Sequence, residues 1–238
     1  MKKKTIENTH HLEKLLQSIK IDETENKLDL LGDLATIMNK LSFKLKYNCL
    51  KIKDSPIHGL GVFATCDIPA NKIVTFYPAH SVAIYHDGGK TTKIIHRSQE
   101  FEDNYDFYQN LYTLGDESKI FGDYEITGDP NVKDPLYLGH LLNDGTGNLF
   151  SGISYSDLWN DKNLAREILD EYKEKGNNNC YIEIVENFPI CYIKTNRPIK
   201  SGTELLTTYG PIYWYGLEYK NVEHVEADFD KLKQLVYD

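Results

Sequence analysis

Asn196-Arg197-Pro198-Ile199-Lys200-Ser201-Gly202-Thr203-Glu204-Leu205-Leu206-Thr207-Thr208-Tyr209-Gly210 reads as a turn, a short strand and a second turn. Pro198 and Gly202 punctuate the approach. Glu204 to Tyr209 is enriched in β-branched and aromatic residues, which suit a strand. Tyr209 stands directly before Gly210, where a chain can bend sharply. A tyrosine so placed can present its hydroxyl to a pocket. Ordinary packing of a Tyr-Gly pair at a strand end accounts for the same residues.

Working outward, the 238 residues suffice for one large domain or one domain with an appendage. Tyr occurs 17 times and Phe 9 times, which favours β structure and aromatic-lined pockets. A formal net charge of −9 argues against a nucleic-acid surface and suits a cationic partner, although solubility explains it equally. Cys49, Cys66, Cys180 and Cys191 have no Cys-x-x-Cys or Cys-x-Cys spacing, so no zinc or other metal site is expected. The basic start, Met1 to Lys4, leads into no apolar segment, so no signal peptide is read there. Four free thiols in a reducing, intracellular compartment, nuclear or cytoplasmic, are the expectation. No run approaches the length of apolar residues that spans a membrane.

Along the chain, residues 1–45 read as a helical N-terminal extension. Leu12, Leu15, Leu16 and Ile19 form one apolar stripe, and Leu30, Leu31, Leu34, Ile37, Met38 and Leu41 form another. Either stripe can pack on the following domain or make a dimer contact. From Tyr47 the character turns to β, with candidate strands at 50–53, 61–64, 72–76 and 81–85. Residues 97–129 hold nine acidic residues against Arg97 and Lys119, with Tyr105, Phe107, Tyr108, Tyr112 and Tyr124 interleaved. This is a solvated loop or a cleft for a basic peptide. Ser156 to Gly176 reads as a helix stopped by Gly176. Strands at 181–185 and 190–194 follow, and a last helix is expected within a tail at 218–238.

Two more stretches join the first. Ser55-Pro56-Ile57-His58-Gly59-Leu60-Gly61-Val62-Phe63-Ala64 sets two glycines before an apolar strand. Leu138-Gly139-His140-Leu141-Leu142-Asn143-Asp144-Gly145 puts an asparagine at a polar turn after an apolar run. In this order, with strands between, the three stretches resemble the SET-domain protein lysine methyltransferases, from about Tyr47 to Trp214. The resemblance implies a mainly β fold with α additions. Its small curved sheets carry a C-terminal pseudoknot, which departs from the usual un-knotted rule. The SET domain would occupy 46–217, with a helical insertion at about 150–177.

The resemblance also implies a site. S-adenosylmethionine would lie in a cleft against His58, Gly59, Leu60 and Gly61, with His140, Asn143, Asp144, Tyr209 and Trp214 also in contact. Asn143 matches the asparagine of the family's Asn-His pair, and Asp144 stands where histidine is usual. A second family asparagine matches Asn179 if the insertion is real, or Asn148 without one. Tyr209 and Tyr77 would be catalytic, and Tyr77, Thr207 and Tyr181 would line a lysine channel. Thr207 takes the position where relatives carry Phe or Tyr. No residue pattern matches the family's zinc-binding tail after Gly210, and Tyr213, Trp214, Tyr215 and Tyr219 could close the channel instead.

The implied reaction moves a methyl group from S-adenosylmethionine to a lysine amine of a protein, by family analogy a histone tail. In-line displacement needs alignment more than acid–base power. An aromatic channel disfavours the ammonium form of lysine. The competing reading is a non-catalytic SET-like module that binds a lysine-bearing partner. Turnover separates the two.

Overall fold

The stripe Leu30, Leu31, Leu34 and Met38 winds into a helix, as its spacing predicts. In the computed structural model, which describes residues 4–6, 9–16, 19, 26–40, 43–86, 89–96, 112–146, 161–185, 188–210 and 213, this is α2 (Lys27–Lys40). Asn26 caps it, its Oδ1 accepting from the Leu28 N–H at 2.9 Å. Leu30, Leu31 and Leu34 pack with Val82, Ile84, Tyr124 and Ile126, so this stripe is buried within the chain. Among the described members of the expected set Ile37 alone is exposed, at 38%, and Leu41 lies outside the described residues. The first stripe forms α1 (Thr9–Leu16), whose buried Leu12 and Leu16 meet Met38, Phe76 and Tyr192.

The β portion is built from small sheets. β3 (Leu50–Asp54) and β4 (Leu60–Ala64) form an antiparallel pair. β5 (Ile73–Tyr77) pairs antiparallel with β12 (Cys191–Thr195), which pairs in turn with β11 (Cys180–Ile184). A four-stranded antiparallel sheet contains β6 (Ser81–His86), β7 (Gly89–Ile94), β8 (Thr113–Ser118) and β9 (Gly122–Thr127) in the order β7-β6-β9-β8. The other pairs are parallel: β1 (Lys4–Ile6) with β2 (Phe43–Leu45), and β10 (Asn143–Asp144) with β13 (Leu206–Thr207). The fold is mainly β with helical additions. No helix of the described residues is long and apolar enough to cross a membrane.

The segment that opened the sequence reading is stitched to three parts of the chain. Leu205 donates its N–H to the Val62 carbonyl at 2.7 Å, and Gly145 donates to the Thr207 carbonyl at 3.1 Å. Asn179 donates its N–H to the Leu206 carbonyl at 3.0 Å. Residues 203–207 thus run between β4, β10 and the start of β11. Thr75 adds another stitch: its hydroxyl donates to Leu136 O at 3.0 Å and accepts from Leu138 N–H at 2.8 Å. That fixes the short 3₁₀ helix Gly139–Leu141, which leads into β10.

The strands expected at 50–53, 61–64, 72–76, 81–85, 181–185 and 190–194 are present with small differences at their ends. The helix expected from Ser156 is α3 (Lys162–Lys175) over the described residues, capped by Asp161 and ending at Gly176. Three expectations need correction. The extension is not purely helical, because β1 and β2 flank its helices. The acidic stretch is not a loop from end to end: β8 and β9 place Tyr124 and Ile126 inward while Asp123 stays exposed. The four cysteines are not all free, since Cys49 and Cys66 are joined in a disulfide and only Cys180 and Cys191 remain as thiols, both buried. The two half-cystines are distant in sequence and lack a spacing motif, so the pairing had no local signal. Residues 97–111, Asn148, the 156–160 part of the expected helix, Trp214, Tyr215, Tyr219 and the tail helix lie outside the described residues.

The bond closes a loop with a sequence separation of 17. Reduction is expected to lower unfolding stability by about 3 kcal/mol, the scale of closing a loop of that size. Urea titrations with and without reductant test this, with Cys66→Ser as the control. Coincident midpoints would count against the bond.

Candidate active site

Asn143 is 7% exposed and sits at the junction of β10, the 55–61 loop and the 203–207 segment. Its Nδ2 donates toward His58 O at 3.1 Å, Leu60 O at 3.0 Å and Glu204 Oε1 at 2.9 Å. Three acceptors surround that nitrogen, which fixes the amide's orientation. Asn143 Oδ1 takes no hydrogen bond from a described residue. Glu204 is also buried, and its second oxygen accepts from Ser55 Oγ at 3.1 Å. Gly61 leaves room for this carboxylate: a Cβ at that position would stand 2.1 Å from Glu204 Oε1, so the carboxylate end would have to move. Gly59 joins the same loop through its carbonyl, which accepts from Ser55 N–H at 2.8 Å. His58 and Leu60 contribute backbone, and their side chains are exposed.

Asp144, next along β10, is 2% exposed. Its Oδ1 accepts from the Thr146 N–H at 2.8 Å and from the Thr146 hydroxyl. Its Oδ2 accepts from the Tyr172 hydroxyl at 2.6 Å and the Tyr209 N–H at 2.8 Å. Four donors therefore satisfy this buried carboxylate, as burial of a charge demands.

Tyr209 donates its hydroxyl to Leu142 O at 2.6 Å, and its ring meets Tyr213 edge-on at 4.6 Å. Burial first, then the neighbouring Tyr213 hydroxyl, holds Tyr209 well above the ordinary phenol range. Tyr77 is buried at the end of β5, and burial followed by the nearby Tyr209 raises it likewise. Tyr112 and Tyr213 border the same group. His140 lies beside it, with ring centroids 6.2 Å from Tyr77 and 6.1 Å from Tyr112. Its Nε2 donates to Asp129 O at 3.1 Å, while its Nδ1 is buried without a partner among the described residues. Burial, then His80, pushes His140 down to about 3. Burial, then His96, pushes His80 down to about 4.

The structure thus gathers His58, Gly59, Leu60, Gly61 and Asn143 in one cluster and Tyr77, Tyr209 and His140 in an adjoining one. Asp144 links the second to β10. Thr207 is 1% exposed on β13, and its hydroxyl has no partner among the described residues. Tyr181 stands apart, 52% exposed on β11 opposite Lys194. Asn179 ties β11 to the site: its Nδ2 donates to Glu204 O at 2.7 Å and its Oδ1 accepts from Leu206 N–H at 2.9 Å. A cavity of about 280 Å³ near the end of α2, lined by Thr36, Lys40, His80, His96, Asp134 and Tyr137 among others, contains none of these candidates.

Residues 59–210 match the SET domain. The chain belongs to the SET-domain family. That family generally consists of S-adenosylmethionine-dependent methyltransferases acting on lysine-containing proteins. Two solved SET-domain structures are similar to this chain, both distantly. One is a candidate histone methyltransferase from Plasmodium falciparum, 18% identical, with 69% of this chain and 96% of that chain covered and a TM-score of 0.34. The other is CpSET8 from Cryptosporidium, 19% identical, with 81% and 69% covered and a TM-score of 0.41. No curated protein matches.

Sequence reasoning missed two residues that the structure joins to these clusters. Glu204 was quoted within the deciding stretch but given no role. Its signal was a carboxylate directly before the apolar pair Leu205-Leu206, where a buried charge needs partners. Tyr172 falls within the helix expected at 156–176, four residues after Ile168, and a hydroxyl at apolar helical spacing is the corresponding signal.

Proposed function

We propose that this chain is a protein-lysine N-methyltransferase using S-adenosylmethionine, with a basic tail of the histone type as substrate. The observation that carries the reading is the Tyr209 hydroxyl. It is anchored on Leu142 O in a buried tyrosine cluster, one residue along the chain from the Asn143 cluster.

The residues fit the cofactor. S-adenosylmethionine supplies a transferable methyl on a sulfonium and also carries an ammonium group. Asn143 Oδ1, which takes no hydrogen bond from a described residue, is an acceptor suited to that ammonium. Glu204, buried with neutral partners Ser55 and Asn143, supplies negative potential for both cationic groups. The backbone of His58 to Gly61 would form one wall. Asp144 would act by holding the Tyr209 backbone, and His140 by walling the tyrosine cluster.

The substrate amine must arrive neutral, against a reference pKa of about 10.4. The surroundings that push His140 to about 3 and His80 to about 4 disfavour any cation there, chiefly by desolvation. Tyr77, Tyr209 and Tyr213 extend that environment, and all three are raised by burial. Tyr209 donates its hydrogen bond to Leu142 O, so its oxygen offers lone pairs to the incoming amine. It orients the nucleophile and does not serve as a base. Thr207 would adjoin the channel with a hydroxyl that has no partner among the described residues.

Asp123, exposed on β9, would attract a cationic tail, but not all of the stretch can take part, since Glu125 is paired with Lys90. Asp129 is fully buried, with its Oδ1 accepting from Asn131 N–H at 2.9 Å. The test is incubation with methyl-labelled cofactor and a histone panel at several salt concentrations. Label is expected on lysine, at rates that fall as salt rises and screens charges beyond roughly 8–10 Å. Cofactor binding with no transfer to any protein offered would favour the non-catalytic module.

A further inference from the structure

The ladder between β10 and β13 ends at the Asp144–Thr207 pair. Tyr209 lies beyond it, so no sheet fixes the residue whose hydroxyl matters most. Gly210, which follows, turns away with φ at 84°. A hydroxyl from the helix between β10 and β11 joins Asp144 in gripping this segment, together with Thr208 Oγ, which accepts from the Gly210 N–H at 3.1 Å. Tyr172 shares the inward face of α3 with Ile168, one turn earlier. Its hydroxyl donates to Asp144 Oδ2 and accepts from Gly210 N–H at 3.0 Å. With its proton committed to Asp144, it takes the Thr208 hydroxyl as a further donor. Asp144 Oδ2 in turn takes the Tyr209 N–H. Residues 208, 209 and 210 are therefore all held by the Tyr172–Asp144 pair.

The exit from the helix reinforces this. Asn178 Oδ1 accepts from Gly145 N–H at 3.0 Å, and Asn179 holds Leu206 from the other side. The inserted segment is thus fastened at both ends of the two-residue ladder. Burial, and then Asp144, pushes the Tyr172 hydroxyl up to about 12, so it remains a donor throughout the neutral range.

We propose that Tyr172 is a positioning residue. Through Asp144 and the Gly210 amide, the inserted helix sets where Tyr209 stands. For its consequence in rate this rests on the methyltransferase reading, but its geometry does not. The test is amide hydrogen exchange on Tyr172→Phe and Thr208→Ala, with rates measured in parallel. In Tyr172→Phe the Gly210 amide, left with Thr208 Oγ alone, and the Tyr209 amide, whose acceptor Asp144 loses a donor, are expected to exchange several-fold faster, up to about tenfold. The β3–β4 amides should be unchanged. Thr208→Ala, at an exposed position, should act on the same amides more weakly. Combining Tyr172→Phe with Asp144→Asn should speed exchange less than the product of the two single effects.

In methyl transfer, Tyr172→Phe should lower kcat about tenfold with KM and cofactor affinity nearly kept, because misplacement acts at the reacting atoms. Unchanged exchange at Tyr209 and Gly210, or multiplicative effects in the double variant, would overturn the proposal. If the wild-type chain transfers no methyl group, the methyltransferase reading fails, while the exchange data still decide the role of Tyr172.

Discussion

Replacing Tyr209 by phenylalanine is expected to lower methyl transfer by about 10²–10³-fold, the scale of losing one preorganised group at a reacting centre. The ring and its edge-on contact with Tyr213 are kept. The hydroxyl that bonds Leu142 O is lost, so stability should fall by only about 1 kcal/mol. The rate loss should lie in kcat more than in KM if the hydroxyl orients the amine in the transition state. A pH profile adds a second check. Burial holds the Tyr209 hydroxyl above its ordinary range, so it does not ionise near neutrality. The profile of Tyr209→Phe should then keep the wild-type shape at lower amplitude. Single-turnover methylation by both proteins, after circular dichroism shows equal folding, measures the effect. Rates within a few-fold of each other would remove Tyr209 from the reaction.

Much of this architecture was legible because pattern and environment agree. The run Val62 to Ala64 is apolar throughout and becomes a strand buried on both faces. The leucines of α2 keep helical spacing and are buried where the spacing puts them. The 97–129 stretch was harder. Its acidic residues dominate the composition, yet within Asp123-Tyr124-Glu125-Ile126 every second residue is apolar. That period of two is a strand signal, and charge counting obscured it. β1 and β7 were missed for another reason. Lys-Thr-Ile and Gly-Lys-Thr-Thr-Lys-Ile offer little apolar pattern, and their pairing partners decide their conformation.

The site was legible where it is local and illegible where it is not. Asn143, Tyr209 and the 58–61 loop stand out in motifs of a few residues. Tyr172 reaches Asp144 across 28 positions and Glu204 reaches Asn143 across 61, and no short window contains such pairs. Gly61 shows how such a contact is written into sequence. The glycine leaves room for the carboxylate of a residue far along the chain, and only the fold brings the two together.

Asn143 provides the second large effect, and the geometry makes alanine the milder of two substitutions. Asn143→Ala removes an amide whose nitrogen serves three acceptors. Buried acceptors left without donors cost about 1–3 kcal/mol each, so cofactor affinity should fall about 10- to 100-fold, or roughly 1.4–2.8 kcal/mol. Asn143→Asp keeps an oxygen where Oδ1 stands and so would be harmless if that oxygen alone mattered. It also replaces the donating nitrogen with a second oxygen. That oxygen would face His58 O, Leu60 O and the Glu204 carboxylate, all of them acceptors. An uncompensated buried charge of this kind costs about 3–5 kcal/mol. Asn143→Asp is therefore expected to be less stable than Asn143→Ala and to bind S-adenosylmethionine no better. Urea denaturation and calorimetry on both variants measure this. Adding Glu204→Gln to Asn143→Asp should recover part of the loss, because it removes one of the two facing charges. Wild-type affinity in Asn143→Asp would mean that the amide nitrogen is not the strut between β10, the glycine loop and Glu204.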